Sequence, residues 1–217
     1  RSRAPEWRMK PVKRGTVRLP KAEQDALCRH YTEDVDAARI AAALDIPRHM
    51  SVMDPHAGKG AFIRAFLARG HPVAGMDVDP EATALAVPEY RCVMGDFLAD
   101  EPPVRPDWIV GNPPFTNAPP HIVRAIGLAR LGVAFVLPIR YLSSRKREDL
   151  WAEHPLSALW IFADRLHYSG SKTTAPDDYA LFVWRKNQRG GCLLYHSVPG
   201  APDRKRKRRT VLRGMTG

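Results

Sequence analysis

From about residue 34 the chain alternates helical stretches with short apolar runs. Asp34 to Leu44, carrying Val35, Ala38, Ile40, Ala42 and Leu44, predicts a helix that must stop before Pro47, because a proline disfavours helical geometry in the residue preceding it. Ser51-Val52-Met53-Asp54 predicts a short buried strand. It runs into Pro55-His56-Ala57-Gly58-Lys59-Gly60, and an apolar-faced helix follows from Ala61 to Ala68, closed by Gly70. Pro72 to Met76 predicts a second strand ending at Asp77, and Arg91 to Met94 a third ending at Gly95-Asp96. Asp107 to Val110 is the fourth, Pro119 to Arg130 a helix, and Val133 to Leu137 a fifth, strongly apolar strand. Short, uniformly apolar strands separated by helices predict a parallel sheet covered on both faces. Beyond residue 155 the order changes. Leu156 to Phe162 and Tyr179 to Trp184 both read as strands, joined only by the polar, glycine-bearing segment Tyr168 to Asp178, so they should form an antiparallel pair. The expected fold class is therefore α/β: a seven-stranded, mostly parallel sheet with an antiparallel edge hairpin.

Composition narrows the class. A chain of 217 residues with 44% hydrophobic content can bury one substantial core. The longest apolar stretch, Leu131 to Ile139, falls far short of the roughly 20 residues that cross a bilayer, so no membrane partner is expected. The basic first residues lack an apolar signal segment, which predicts no secretion signal. Cys28, Cys92 and Cys192 are scattered, without CxxC or HxxH spacing. That argues against a zinc site, or any metal, and against a disulfide framework, and it predicts a reducing, cytoplasmic setting.

The net charge of +11 is concentrated at the ends. Residues 1–18 hold seven Lys/Arg against Glu6, and residues 204–213 hold seven more with no acid, so the middle of the chain carries about −2. The expected organisation is a basic arm (1–18), one domain (19–200) and a basic tail (201–217). Two basic arms on a near-neutral body suit a polyanion, whose condensed counterions are released when Lys and Arg take their place. The competing reading is that the arms solubilise the chain, or that Arg204 to Arg209 is a localisation signal.

The chemistry concentrates in two loops. Gly111-Asn112-Pro113-Pro114-Phe115 follows the apolar run Trp108-Ile109-Val110 directly. It brings together an amide side chain, a carbonyl with no adjacent N–H, two stiffening prolines and an aromatic ring, a set suited to gripping a planar group that bears an NH2. The loop Asp54 to Gly60 lies between a strand and a helix, where glycines let the backbone approach a ligand and helix N-terminal amides face it. It lacks the Ser/Thr that a P-loop needs after Lys59, and it has Ile63 where a dinucleotide site wants a third glycine. A nucleoside without phosphates fits better. Asp77 ends the second strand, where a carboxylate can accept ribose hydroxyls, and Asp96, followed by Phe97, ends the third, where it can take an adenine amino group. Three successive strands thus end in Asp beside one glycine loop.

On these residues the chain resembles the S-adenosylmethionine-dependent amino-methyltransferases, especially small phage or bacterial DNA N6-adenine methyltransferases. The DPxxGxG-type loop is Asp54-Pro55-His56-Ala57-Gly58-Lys59-Gly60 and the NPP[FYW] motif is Asn112 to Phe115. His30-Tyr31-Thr32 is similar to the segment that closes over the methionine end, and Asp178 to Trp184 to the last hairpin strand. The resemblance covers roughly residues 30–185. It implies a Rossmann-like class I methyltransferase fold, S-adenosylmethionine as cofactor with S-adenosylhomocysteine as product, and DNA as the favoured nucleic-acid partner. The implied cofactor contacts are Tyr31, Thr32, Asp54, His56, Gly58, Gly60, Asp77 with Val78, Asp96, Phe97 and Asn112. Asn112, Pro113, Pro114 and Phe115 are the implied catalytic residues.

Independently of the resemblance, adenine N6 is a poor nucleophile because its lone pair is delocalised. The Asn112 oxygen and the Pro113 carbonyl can accept both N6 hydrogens, favouring a pyramidal nitrogen, while Phe115 stacks on a base extruded from the duplex. Cytosine C5 chemistry would need a cysteine after proline, and none of the three has one. His56, counted among the cofactor contacts, and Lys59 also read as exposed loop positions, which is the simpler expectation. Arg140, Tyr141 and Arg145 to Arg147 form either a substrate-facing patch or a solvated helix start. Lys172, in the polar loop after Tyr168, is a further candidate substrate contact. RNA bases, a protein glutamine, and a catalytically silent cofactor-binding subunit remain as rival readings.

Overall fold

The computed structural model describes residues 32–79, 91–162, 166, 178–188 and 193–198. Tyr31, Lys172 and both basic arms lie outside the described residues. Helix α1 (Asp34–Leu44) leads to β1 (Val52–Asp54), α2 (Ala61–Ala68), β2 (Val73–Asp77), β3 (Arg91–Met94) and β4 (Trp108–Gly111). A 3₁₀ turn (Phe115–Asn117), α3 (Ala118–Leu128) and β5 (Gly132–Pro138) follow. Two further 3₁₀ turns (Ile139–Leu142 and Arg145–Arg147) and α4 (Glu148–Glu153) precede β6 (Ala158–Phe162), β7 (Tyr179–Arg185) and β8 (Leu193–Val198). No described helix is long and apolar enough to cross a membrane.

The strands lie in one sheet in the order β3-β2-β1-β4-β5-β7-β6-β8. Strands β1 to β5 run parallel, and β7 is antiparallel to both β5 and β6. The expected mixed sheet, with its antiparallel pair beyond β5, is thus present, and β8 extends it by pairing parallel to β6. Each face buries its own core, because successive strand residues point to opposite sides. Val52, Trp108, Val110, Val136 and Leu181 pack with Ile40, Phe62 and Phe66 of α1 and α2. Met53, Ile109, Phe135, Leu137 and Phe182 pack with Ile122 and Ala125 of α3 and Leu150 of α4. Burial on both sides is why β5 contains no polar residue.

From β1 the chain steps outward to β2 and β3, then returns to lay β4 on the other side of β1. The carboxyl ends of β1 and β4 are therefore neighbours at the topological switch point, where open α/β sheets bind ligands. Helix α4, of six residues, follows Arg145–Arg147, where a helix start is one of the two readings, and β8, which ends in the mixed run His196-Ser197-Val198, was not expected from the sequence.

Candidate active site

Asp54 is the last residue of β1 and Gly111 the last of β4. A Cβ on residue 111 would fall 2.5 Å from Asp54 Oδ1, so glycine is required here for the Asp54 carboxyl to lie against the start of the Asn112 turn. Asp54 is 2% exposed, and its Oδ1 accepts from the His56 backbone N–H at 3.0 Å. Burial pushes its pKa up to about 8; the His56 N–H works against this and the nearby Asp77 adds to it. The two segments singled out from the sequence thus meet at one point.

Asn112, half-buried, donates from Nδ2 to Thr32 Oγ1 at 3.4 Å. Thr32 is itself 8% exposed, and it brings the residues just before α1 to the Asn112 turn. Pro113 is buried, and Pro114 starts a turn in which the Asn117 N–H donates to the Pro114 carbonyl at 3.1 Å. The ring of half-buried Phe115 lies 5.3 Å from that of Tyr179, and the Phe115 carbonyl accepts from the Tyr141 hydroxyl.

The glycine loop owes its shape to positive φ angles at Gly58 (50°) and Gly60 (78°). Asp77 ties the loop to β2: its Oδ2 accepts from Gly58 N at 2.7 Å and its Oδ1 from Asp79 N at 2.9 Å. Burial still raises its pKa, outweighing both amides. Val78, beside it, is 46% exposed, an apolar side chain left open at the carboxyl edge of the sheet. Asp96 is exposed, and its Oδ1 accepts from Leu98 N at 2.8 Å.

Two expected positions differ in setting. Phe97, expected to pack on a ligand ring, is 2% exposed. Its ring stacks on His121 at 6.0 Å, and the Arg124 guanidinium sits 5.7 Å from its centroid. His56, read as an exposed loop position, is instead turned inward, its Nε2 2.8 Å from His121 Nδ1 and its ring edge-on to Phe97 and Phe135. The correction has a physical cause: the Phe97 and Phe135 rings pack against the imidazole, and His121 supplies its polar partner. Burial pushes His121 down to about 4, and burial together with His121 holds His56 well below the ordinary histidine range, so both imidazoles are neutral at pH 7. Lys59 is exposed, as expected. Cys92 lies beside Gly75, its thiol pushed up to about 11 by burial and then by Asp54 and Asp77, which leaves it inert at neutral pH.

Arg140 is exposed on the turn after β5. Arg147, read with it as a possible patch, is committed internally through its stacking on Tyr141 and its hydrogen bonds to three backbone carbonyls. Sequence reasoning missed His121, which belongs to no motif; it placed Tyr141 in a possible substrate-facing patch and Tyr179 in the hairpin strand, without their contacts to Phe115.

No family model matches the chain. It is 33% identical over 91 residues to the type II methyltransferase M.TthHB8I of Thermus thermophilus, a match covering 38% of this chain and 21% of that protein. The match therefore spans about a fifth of that relative's length. A solved structure from Listeria monocytogenes, assigned to the class I S-adenosylmethionine-dependent methyltransferases, superposes with TM-score 0.62 at 14% identity, covering 82% of this chain and 72% of that one. The 23S rRNA methyltransferase ErmE superposes with TM-score 0.56 at 21% identity, covering 74% of this chain and 72% of its own. The fold is that of the class I S-adenosylmethionine-dependent methyltransferases.

Proposed function

We propose that this domain binds S-adenosylmethionine and methylates the N6 amino group of adenine in DNA. The observation that carries this reading is the contact between the two loops. The Asn112 turn leaves β4 directly against the buried Asp54 carboxyl at the head of the glycine loop. The donor set suits the cofactor. A carboxyl kept protonated only by burial is a place where a cationic ligand is welcome, because a nearby positive charge restores the anion. Asp54 and Asn112 would hold the cationic methionine end, Thr32 flanking them, while Asp77 would take the ribose hydroxyls and Val78 would lie against the base. The cofactor supplies an electrophilic methyl group on a sulfonium.

The chain's own residues do the remaining work. Thr32 engages the nitrogen of the Asn112 amide, which orients the oxygen to accept one amine hydrogen while the Pro113 carbonyl accepts the other. This pair would withdraw the nitrogen lone pair from the ring and point it along the transfer axis, so positioning replaces any covalent intermediate. Phe115, supported from behind by Tyr179, would provide the stacking surface for an extruded base. The basic arms of the sequence favour a nucleic-acid substrate over a protein glutamine. DNA is preferred on the NPPF resemblance and on the relative named as a type II methyltransferase.

The test is incubation with radiolabelled methyl donor and duplex DNA, single-stranded DNA, RNA or cell protein, followed by identification of the modified group. N6-methyladenine in DNA is the expected product. Label confined to RNA or to protein overturns the DNA assignment, and no label anywhere points to a cofactor-binding subunit.

A further inference from the structure

The segment after β5 is built around the far end of the Asn112 turn. Tyr141, 7% exposed, donates its hydroxyl to the Phe115 carbonyl. Arg147 holds Tyr141 in turn: its guanidinium lies 4.2 Å from the Tyr141 ring centroid. Its Nε donates to the Tyr141 carbonyl at 2.9 Å, and its Nη2 to the carbonyls of Arg140 and Ser143, each at 3.2 Å. One planar fork thus gathers three carbonyls of a short loop and stacks on its aromatic ring, which lysine could not do. The neighbouring cations Arg140, Arg145 and Lys146 are exposed.

The location makes the arrangement more than a loop staple. Pro113 and Pro114 stiffen the start of the turn, but its orientation also depends on where Phe115 is held. The backbone of Phe115 is fixed by Tyr141 and its ring is packed by Tyr179. We infer that Tyr141 is a positioning residue for methyl transfer, its hydroxyl setting the attitude of the Asn112–Phe115 turn and Arg147 setting Tyr141. This rests on the proposed role of that turn. Burial raises the phenol above its ordinary pKa, so the hydroxyl remains a donor across the neutral and mildly alkaline range.

Tyr141→Phe removes one hydroxyl and keeps the ring. The variant should lower kcat about tenfold or more, the effect of a small misplacement of reacting groups, and leave cofactor affinity within about twofold. Arg147→Ala should lose a similar factor in kcat, Arg147→Lys should recover little of it, and the double variant should be no worse than Arg147→Ala, because both act through one contact. A second readout does not need turnover. Amide hydrogen exchange at Thr116 and Asn117 should quicken in Tyr141→Phe, with β4 and β5 unchanged. An active wild type with unaltered kcat in Tyr141→Phe overturns the inference, as does a loss confined to cofactor affinity. If the wild type methylates nothing, the proposed function falls, and the exchange measurement alone decides whether Tyr141 fixes the turn; unchanged exchange rejects it.

Discussion

The state of Asp54 predicts how cofactor binding depends on pH. With burial holding its pKa at about 8, the carboxyl is protonated in about nine of ten unliganded molecules at pH 7. A cationic ligand beside it favours the carboxylate, so binding must release a proton and affinity must rise with pH until Asp54 ionises unaided. Below the folded pKa the dissociation constant should change by nearly tenfold per pH unit, about 1.4 kcal/mol, giving about a 25-fold improvement between pH 6 and 7.5. The sulfonium charge does not titrate, and the ligand's α-amino group, with an ordinary pKa of about 7.7–8.0, alters the affinity by less than about twofold in this window. Isothermal calorimetry of S-adenosylmethionine in two buffers of different ionisation enthalpy measures both the constant and the protons, with about 0.9 proton released at pH 7. Asp54→Asn should bind more weakly at pH 7.5 and show a flat profile. Stability without ligand should move oppositely. A carboxyl with a raised folded pKa favours the folded state at low pH and loses that benefit as pH climbs from about 4 towards 8, so Asp54→Asn should melt higher than wild type at pH 8 but not at pH 5. A dissociation constant constant within twofold from pH 6 to 7.5, with no proton release, would refute the reasoning.

Other expectations follow from the same geometry. Asn112→Ala should weaken cofactor binding only severalfold by calorimetry, since Asp54 still holds the methionine end, but lose turnover by at least about a hundredfold, the loss commonly seen when one oriented hydrogen-bonding group at the reacting atoms is removed. Gly111→Ala would drive a methyl group to 2.5 Å from Asp54 Oδ1. Overpacking of that kind costs about 1–3 kcal/mol, and a thermal scan should show a fall of several degrees together with weakened cofactor binding. The His56–His121 pair has folded pKa values below the ordinary 6.5, so the unfolded chain takes up more protons and stability should decline as pH falls from about 6.5 towards 4. A His56→Phe, His121→Leu double variant should lose much of that slope in denaturant titrations at pH 4.5 and 7.

The sequence carried most of the scaffold. Helix α1 begins and ends where its pattern and Pro47 placed it, and Asp45 provides the left-handed stop at φ 46°. Strand β3 and helix α2 also have the expected bounds, because Gly95 follows the short run Cys92-Val93-Met94 directly and a helix between a glycine loop and Gly70 has clear limits. The candidate residues Asp54, Asp77 and Asn112 were likewise visible as motif positions at strand ends, and Thr32 as one just before the first helix.

The surroundings of those residues were not visible. His56 and His121 are 65 residues apart, Tyr141 and Phe115 are 26 apart, and the sheet order brings each pair into contact. Local pattern reports which face of an element is apolar; it holds no information about which distant side chain will complete a hydrogen bond. That is why His56 read as a surface position and Tyr141 as part of a basic patch. The chain's own letters determined the α/β alternation, the strand ends that carry acids, and the amide-proline turn. Tertiary structure alone decided that Asp54 is buried against Gly111 and therefore protonated, that Arg147 faces inward, and that Tyr141 holds the turn, since desolvation and hydrogen-bond partners exist only once the strands have paired.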